Sequence, residues 1–350
     1  MTALPHEIDA MRRALELAAA PDVQFRGNPR VGAVILSPDG ELIGEGAHRG
    51  AGTPHAEVDA LASASGSTVG STAVVTLEPC AHVGRTGPCV DALLAAGIAR
   101  VVFAQSDPNV IASGGAQRLR DAGVEVVSEV LSTQSSRLNQ AWTYAVTRGR
   151  PYVTWKVATT LDGRIAAADR TSRWITSEES RVDVHEFRRS VDAVLVGRGT
   201  VLADDPQLTV REGSHVLDPE FQPLRVVMGE GELDQGLRIF DETAETLWLR
   251  THSVDEALST LRERGVRHVM LEGGPTLASA FLAAGAVNAV RWYTAPAILG
   301  AGHHAVGDFG VGSIGEMCRL TQTEVTLMGV DVRITGLMSS AHTDSSREKF

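Results

Sequence analysis

Cys80 and Cys89 lie nine residues apart, each directly after a proline, and His55 stands 25 residues before the first of them. Two thiolates and an imidazole are the protein ligands of a catalytic zinc, with the fourth tetrahedral position left for water. Glu57, two residues beyond the histidine, is close enough to move protons at the metal without having to bind it. It can take a proton from the water and return one to a departing amine. Any one of these residues alone is better explained structurally, the cysteines as core residues and the histidine as an ordinary helix residue. The meeting of two of only three cysteines with a His-Ala-Glu is not, so one zinc per chain is expected. Cys318, far down the chain in a segment that reads as extended, keeps the core reading.

A second group of residues points to different chemistry. Of 32 basic residues only Lys156 and Lys349 are lysines, and Lys156 falls in the apolar run from Tyr152 to Ala158. A lysine there suggests a site that needs a compact ammonium donor and not a planar fork. The alternative is a stem lying along a sheet edge with its head in water. Further on, Gly197-Arg198-Gly199 and Leu271-Glu272-Gly273-Gly274-Pro275-Thr276 each follow a predicted strand. The second also opens a helix, whose first N–H groups suit a phosphate of a dinucleotide. Tight turns would account for either glycine element by itself.

These residues need elements to hold them. Apolar periodicity predicts a helix over 4–20, and strands over 31–37 and 40–48 flank the Pro38-Asp39-Gly40 turn. Thr53 is the expected N-cap of a helix that Pro54 opens and that runs to about Ala64. Strands at 72–77, 101–104 and 124–127 alternate with helices at 90–96 and 116–122, the pattern of a layered α/β domain. One helix is expected over 133–147, and Arg148-Gly149-Arg150-Pro151 ends it, which sets the domain boundary there: 1–148 and 149–338. The second half repeats the alternation. Strands are predicted at 152–158, 193–196, 224–228, 246–250 and 268–271. The helices are 177–191, with Thr176 and Glu179 as a capping box, 254–264, and one after Pro275. Extended segments at 288–295 and 323–335 with no helix after them predict a mixed sheet. Residues 339–350 are polar and aperiodic, and a disordered tail is expected.

The composition narrows the function. At 350 residues the chain exceeds one ordinary domain, and 43% hydrophobic with 21% charged residues describes a globular protein. The formal charge of −11 divides as −3 over residues 1–150, with 12 arginines against 15 acids, and −8 over the rest. Neither half carries an excess suited to a polyanion, so a small molecule and not a nucleic acid is the expected partner. No apolar run reaches the roughly 18 residues that span a bilayer, and three cysteines make no disulfide framework, so no membrane partner and a cytoplasmic location are expected.

The first half resembles the zinc-dependent cytidine/deoxycytidylate deaminases, but with eight residues in place of two between the cysteines. In that departure, Pro79-Cys80-Ala81-His82-Val83-Gly84-Arg85-Thr86-Gly87-Pro88-Cys89 resembles the bifunctional riboflavin-biosynthesis deaminase/reductases, as does Asn28-Pro29-Arg30-Val31-Gly32-Ala33-Val34. The resemblance continues in family order through Thr160-Leu161-Asp162-Gly163-Arg164, Ser172-Arg173-Trp174 and Val196-Gly197-Arg198-Gly199-Thr200-Val201-Leu202-Ala203-Asp204-Asp205-Pro206, and covers roughly residues 5–337. It implies an α/β protein with an N-terminal cytidine-deaminase-like three-layer domain and a C-terminal dihydrofolate-reductase-like domain. The implied activity is hydrolytic deamination of a diaminopyrimidinone ribosylamine phosphate, then reduction of its ribosyl to a ribityl chain, with Zn2+ and NADPH as cofactors. A homo-oligomer is also expected.

By the same resemblance Asn28, His48 and His82 line the pyrimidine pocket. Ala158, Trp174, Thr200, Asp204 and the run Gly274, Pro275, Thr276, Leu277, Ala278, Ser279, Ala280 contact NADPH. Ser172, Arg188, Leu208, Arg211 and Glu272 surround the sugar phosphate, with Lys156 catalytic. Two features depart from the family: Gly229 replaces an acidic residue after the strand 224–228, and the loop 107–115 lacks a second proline. Three rivals remain. A C-terminal domain that only binds ligand would have no need of Lys156, Asp204 and Glu272 together. A nucleic-acid base deaminase needs a basic strand-binding surface, and a structural zinc module has no use for Glu57.

Overall fold

The computed structural model describes residues 2–20, 27–82, 87–109 and 112–339. The expected disordered tail lies outside them from residue 340 on, as do residues 83–86 of the cysteine motif. The chain divides into two compact units, Met1–Gly149 and Arg150–Phe350.

The first unit comprises α1 (Pro5–Ala19), β1 (Gly32–Leu36), β2 (Leu42–Ala47), α2 (Ala56–Ala62), β3 (Thr72–Leu77), α3 (Cys89–Ala95), β4 (Arg100–Gln105), α4 (Gly115–Asp121), β5 (Glu125–Val127), α5 (Ser132–Leu138) and α6 (Gln140–Arg148). Its sheet runs β2-β1-β3-β4-β5, antiparallel from β2 to β3 and parallel from there on. Because side chains alternate along a strand, each strand feeds two cores. Val34, Val74 and Val102 pack beneath α1 with Met11 and Ala14. Ala33, Val75 and Phe103 face the other way, against Ala60, Leu93 and Leu119 of α2, α3 and α4. This is the three-layer arrangement expected from the resemblance.

Three local expectations are corrected here. The helix after Thr53 starts at Ala56, with His55 as its N-cap in extended backbone. Thr53 cannot cap it, because its hydroxyl accepts from Arg49 N and donates to Gly50 O in the preceding turn. The expected helix 133–147 is two helices broken at Asn139, whose side chain accepts from Arg30 N at 2.7 Å and donates to Arg30 O at 2.9 Å. A buried amide paired to another segment's backbone competes with helix continuation and here wins. Cys318 lies in a loop, not a strand.

The second unit comprises β6 (Tyr152–Thr160), β7 (Arg164–Ala166), α7 (Glu178–Arg189), β8 (Ala193–Gly197), α8 (Arg198–Asp204), β9 (Arg211–Glu212), β10 (His215–Val216), β11 (Leu224–Met228), β12 (Thr246–Leu249), α9 (Val254–Glu263), β13 (His268–Leu271), α10 (Pro275–Ala283), β14 (Ala289–Ala295), β15 (His303–His304), β16 (Leu320–Met328) and β17 (Asp331–Met338). The main sheet, β12-β11-β8-β13-β6-β14-β17-β16, is parallel from β12 to β14 and antiparallel beyond, the mixed sheet expected. The extended segment read over 323–335 is a hairpin that turns between Met328 and Asp331. The cap of α7 is Ser177, not Thr176: its hydroxyl accepts from Ser180 N, and Asp331 Oδ2 takes its N–H at 2.7 Å, which fixes the helix start to β17. Helix α8 was not anticipated from the sequence; Gly197, Gly199 and a threonine are weak helix formers.

Candidate active sites

In the first unit, close backbone approach brings the candidate metal ligands together. A Cβ on Gly46 of β2 would sit 2.2 Å from Ala60 N of α2, so only glycine lets that helix lie so near the sheet. A Cβ on Gly115, at the start of α4, would sit 1.7 Å from Pro79 O, and its absence lets α4 press against the Cys80 segment. Glu78, buried beside it, accepts from Asp107 N, Gly114 N and Ala116 N, tying the loop after β4 to the end of β3.

His55, Cys80 and Cys89 converge with all ligand atoms within 4.8 Å of one another. His55 Nδ1 lies 3.1 Å from Cys89 Sγ and 3.6 Å from Cys80 Sγ. Tetrahedral zinc with ordinary bond lengths separates a nitrogen and a sulfur ligand by about 3.6 Å, so the donor set fits this metal. Cys89 N donates to Cys80 Sγ at 3.4 Å, and the hydrogen bond from the Cys89 thiol, helped by His55, holds the Cys80 thiol down to about 4. Glu57 is 4% exposed. Burial raises its carboxyl above the ordinary range, and it is hydrogen-bonded to Cys89.

His48 packs edge-on to His55, ring centres 5.3 Å apart. Its Nδ1 meets Pro54 O at 3.1 Å, and since a carbonyl only accepts, Nδ1 carries the proton. Burial lowers its pKa, which keeps the ring neutral. His82 lies two residues past Cys80, and its buried Nδ1 has no partner among the described residues. Asn28 precedes β1 on the segment that Asn139 grips at Arg30. Two residues near the site were not singled out from the sequence: Asn139, and Asp107, whose carboxyl burial pushes up to about 6, with Glu78 and Cys80 adding to it. An asparagine in the middle of a predicted helix was the only local sign of the first.

In the second unit Lys156 does not reach along an edge to water. β6 is an interior strand, and Lys156 Nζ donates to Glu272 Oε1 at 2.8 Å with 14% of its side chain exposed. Glu272 Oε2 accepts from Arg188 Nη2 at 2.9 Å. Burial would raise the Glu272 carboxyl, but the Lys156 ammonium and the Arg188 guanidinium outweigh it and hold it down to about 2. Arg188 Nη1 donates to Thr209 O, and Arg211 Nε to Thr209 Oγ1. Lys156, Glu272, Arg188 and Arg211 thus form one connected group drawn from β6, the end of β13, α7 and β9. Leu208, beside them, is turned into the second core of this unit with its backbone at φ 54°.

The residues assigned to the dinucleotide fall into two sets. A Cβ on Gly274 would stand 3.8 Å from Thr200 Oγ1, which brings the N-cap of α10 next to α8. Thr276 and Leu277 are in the first turn, where N–H groups have no intrahelical acceptor. Ala278 N is already donated to Gly274 O and its side chain is in the core, Ser279 Oγ accepts from Gly307 N, and Ala280 packs against the same core. The other set gathers where Arg173 Nη2 donates to Asp204 O at 2.6 Å, joining the loop of Ser172 and Trp174 to the end of α8. Trp174 is 71% exposed, with the Arg181 guanidinium 4.7 Å from its ring centre. Ala158 lies on the same face of β6 as Lys156, two residues on. Gly229 O accepts from Trp248 Nε1 at 3.0 Å.

Two family models match: the cytidine and deoxycytidylate deaminase zinc-binding region over residues 5–105, and the RibD C-terminal domain over residues 151–334. The riboflavin biosynthesis protein RibD of Mycobacterium tuberculosis is 46% identical over 334 residues, covering 94% of this chain and 98% of that protein. RibD of Escherichia coli is 40% identical, covering 83% and 88%. Among solved structures, Acinetobacter baumannii RibD superposes with a TM-score of 0.89 at 38% identity, covering 96% of this chain and 100% of that one. The Thermotoga maritima diaminohydroxyphosphoribosylaminopyrimidine deaminase/5-amino-6-(5-phosphoribosylamino)uracil reductase gives 0.84 at 33% identity, covering 95% and 99%.

Proposed function

The chain belongs to the RibD family, and from that premise we infer how its residues divide two reactions of riboflavin biosynthesis. It is a bifunctional enzyme: a zinc-dependent hydrolase that deaminates a phosphorylated diaminopyrimidine, and an NADPH-dependent reductase that converts the ribosyl side chain of the product to ribityl. In our reading His55 Nδ1, Cys80 and Cys89 hold the zinc, which supplies the Lewis acidity that makes water a nucleophile at neutral pH. Glu57 takes the proton that water loses as it adds to the carbon bearing the 2-amino group. It returns that proton to the nitrogen as the C–N bond breaks and ammonia leaves. Support for this role comes from its burial: a carboxyl raised above its ordinary range can hold the proton between the two transfers. His48, neutral, and Asn28 and His82 orient the pyrimidine.

In the second reaction NADPH supplies the hydride to the first ribose carbon. The reduction also consumes a proton, and we assign it to Lys156, whose ammonium Glu272 holds in place. Arg188 and Arg211 take the phosphate, Ser172 and Leu208 flank the sugar, and Glu272 adds ribose contacts. Trp174, Ala158, Thr200, Asp204 and the N-terminus of α10 receive NADPH. The partner is a small phosphorylated pyrimidine and not a nucleic acid, in keeping with the acidic charge of both halves. None of the three cysteines forms a disulfide, in keeping with a cytoplasmic enzyme, and we propose that it is a homo-oligomer.

One observation carries this reading: His55 Nδ1 meets both sulfurs with a buried glutamate alongside. Metal analysis of protein purified without chelator should find one zinc per chain. Glu57→Gln should keep that zinc, lose ammonia release, and still reduce the deaminated substrate. Absence of zinc, or deamination retained by the variant, would overturn the assignment.

A further inference from the structure

Arg188 and Arg211 come from different elements, α7 and β9, yet one residue engages both. Thr209 is 1% exposed; its carbonyl accepts from Arg188 Nη1 at 2.7 Å and its hydroxyl accepts from Arg211 Nε at 3.1 Å. We propose that Thr209 is a positioning residue of the reductase, setting the two guanidinium groups in the arrangement that receives the substrate phosphate. The proposal rests on the reading of these arginines as phosphate ligands.

The chain is shaped for this. Leu208 holds a left-handed backbone, φ 54°, which is unfavourable for a side-chain-bearing residue and persists only where the surroundings fix it. They do so by burying the Leu208 side chain with Val184 and Phe187 of α7, next to Arg188. The two arginines also differ in their partners. Arg188 shares its charge with Glu272, and its buried Nε has no partner among the described residues. Arg211 makes no ion pair among the described residues. Its bonds go to neutral oxygens, Thr209 Oγ1 and Gln207 Oε1, so its full charge is left for an anion. A guanidinium held by neutral acceptors is ordered before substrate arrives, and the ordering cost is not charged to binding.

The test is steady-state reduction of the deaminated ribosylamine phosphate by the full-length enzyme. Thr209→Val keeps the branched shape and removes the hydroxyl. It should raise KM for that substrate about tenfold, as expected for losing a hydrogen bond to a charged group, and leave kcat within about twofold. Affinity for NADPH should not change. Thr209→Ser should restore KM. Arg211→Ala should raise KM at least as much, and adding Thr209→Val to it should have no further effect. If Arg211→Ala raises KM but Thr209→Val does not, the positioning role fails and the ligand reading stands. If Arg211→Ala leaves KM unchanged, the ligand reading fails and takes the proposal with it. If Thr209→Val lowers kcat and NADPH affinity as well, and serine does not rescue it, Thr209 only supports the fold and the proposal is overturned.

Discussion

Replacing Glu272 by glutamine would remove the anion that Lys156 and Arg188 share. Its oxygens lie 2.8 Å from Lys156 Nζ and 2.9 Å from Arg188 Nη2, with side-chain exposures of 21%, 14% and 8% for the three residues. A carboxyl held from its ordinary 4.5 down to about 2 is stabilised in the folded state by about 3 kcal/mol. Glutamine keeps the shape but leaves two cations facing an amide, the situation in which breaking a buried pair is costly. For a unit of roughly 200 residues that corresponds to a fall in Tm of about 6–12 °C at pH 7. Calorimetry reads this directly, because the transition of the reductase unit is the one that NADPH raises. The sign of the pH dependence follows from the depressed pKa. The stabilisation is complete above about 4.5, where the unfolded carboxyl is ionised, and is lost as pH falls from there toward about 2. The gap between parent and variant should therefore narrow below pH 4.5. A fall in Tm of under about 2 °C at pH 7, or a gap that does not narrow, would show that the pair is not held as described.

Three further outcomes are expected. Lys156→Arg should slow hydride transfer to the deaminated substrate despite keeping the charge, since a planar fork cannot take an ammonium's place in an interior strand; single-turnover NADPH absorbance reads it, and near-parental rates would contradict the role given to Lys156. Asn139→Ala should cost about 2 kcal/mol of stability in the first unit and raise the KM for deamination, because both backbone groups of Arg30 lose their partner; denaturant melts and ammonia assays check both. Gly115→Ala should lower zinc content, since a Cβ there would stand 1.7 Å from Pro79 O beside Cys80; full zinc occupancy in that variant would contradict the packing account.

The cluster of His55, Cys80 and Cys89 was legible in the sequence because residue type and spacing already carry the coordination chemistry, and bringing the three together needs only neighbouring elements: the N-cap of α2, the turn after β3 and the first residue of α3. The strand–helix alternation was legible for the same reason, since both periods are local. Most of what escaped depends on partners distant in the chain. Asn139 and Arg30 are 109 residues apart, and nothing near either announces the pairing that splits the predicted helix. Lys156 stood out by composition, but whether it met an anion or water was decided by Glu272, 116 residues on. Thr53 was misread because its hydroxyl can serve a turn or a cap, and the turn of Gly50 takes it. Thr209 carries no signal of its own; its function lies in two oxygens aimed at arginines from other elements.

That one chain performs hydrolysis and then reduction can be read from a single assay, in which the purified enzyme is supplied with the diaminopyrimidinone ribosylamine phosphate and NADPH while ammonia and NADPH are followed together. One ammonia should be released for each NADPH oxidised, with ammonia appearing first, and ammonia release should continue when NADPH is withheld. NADPH oxidation from the diamino substrate without ammonia, or no ammonia from zinc-loaded enzyme, would contradict it.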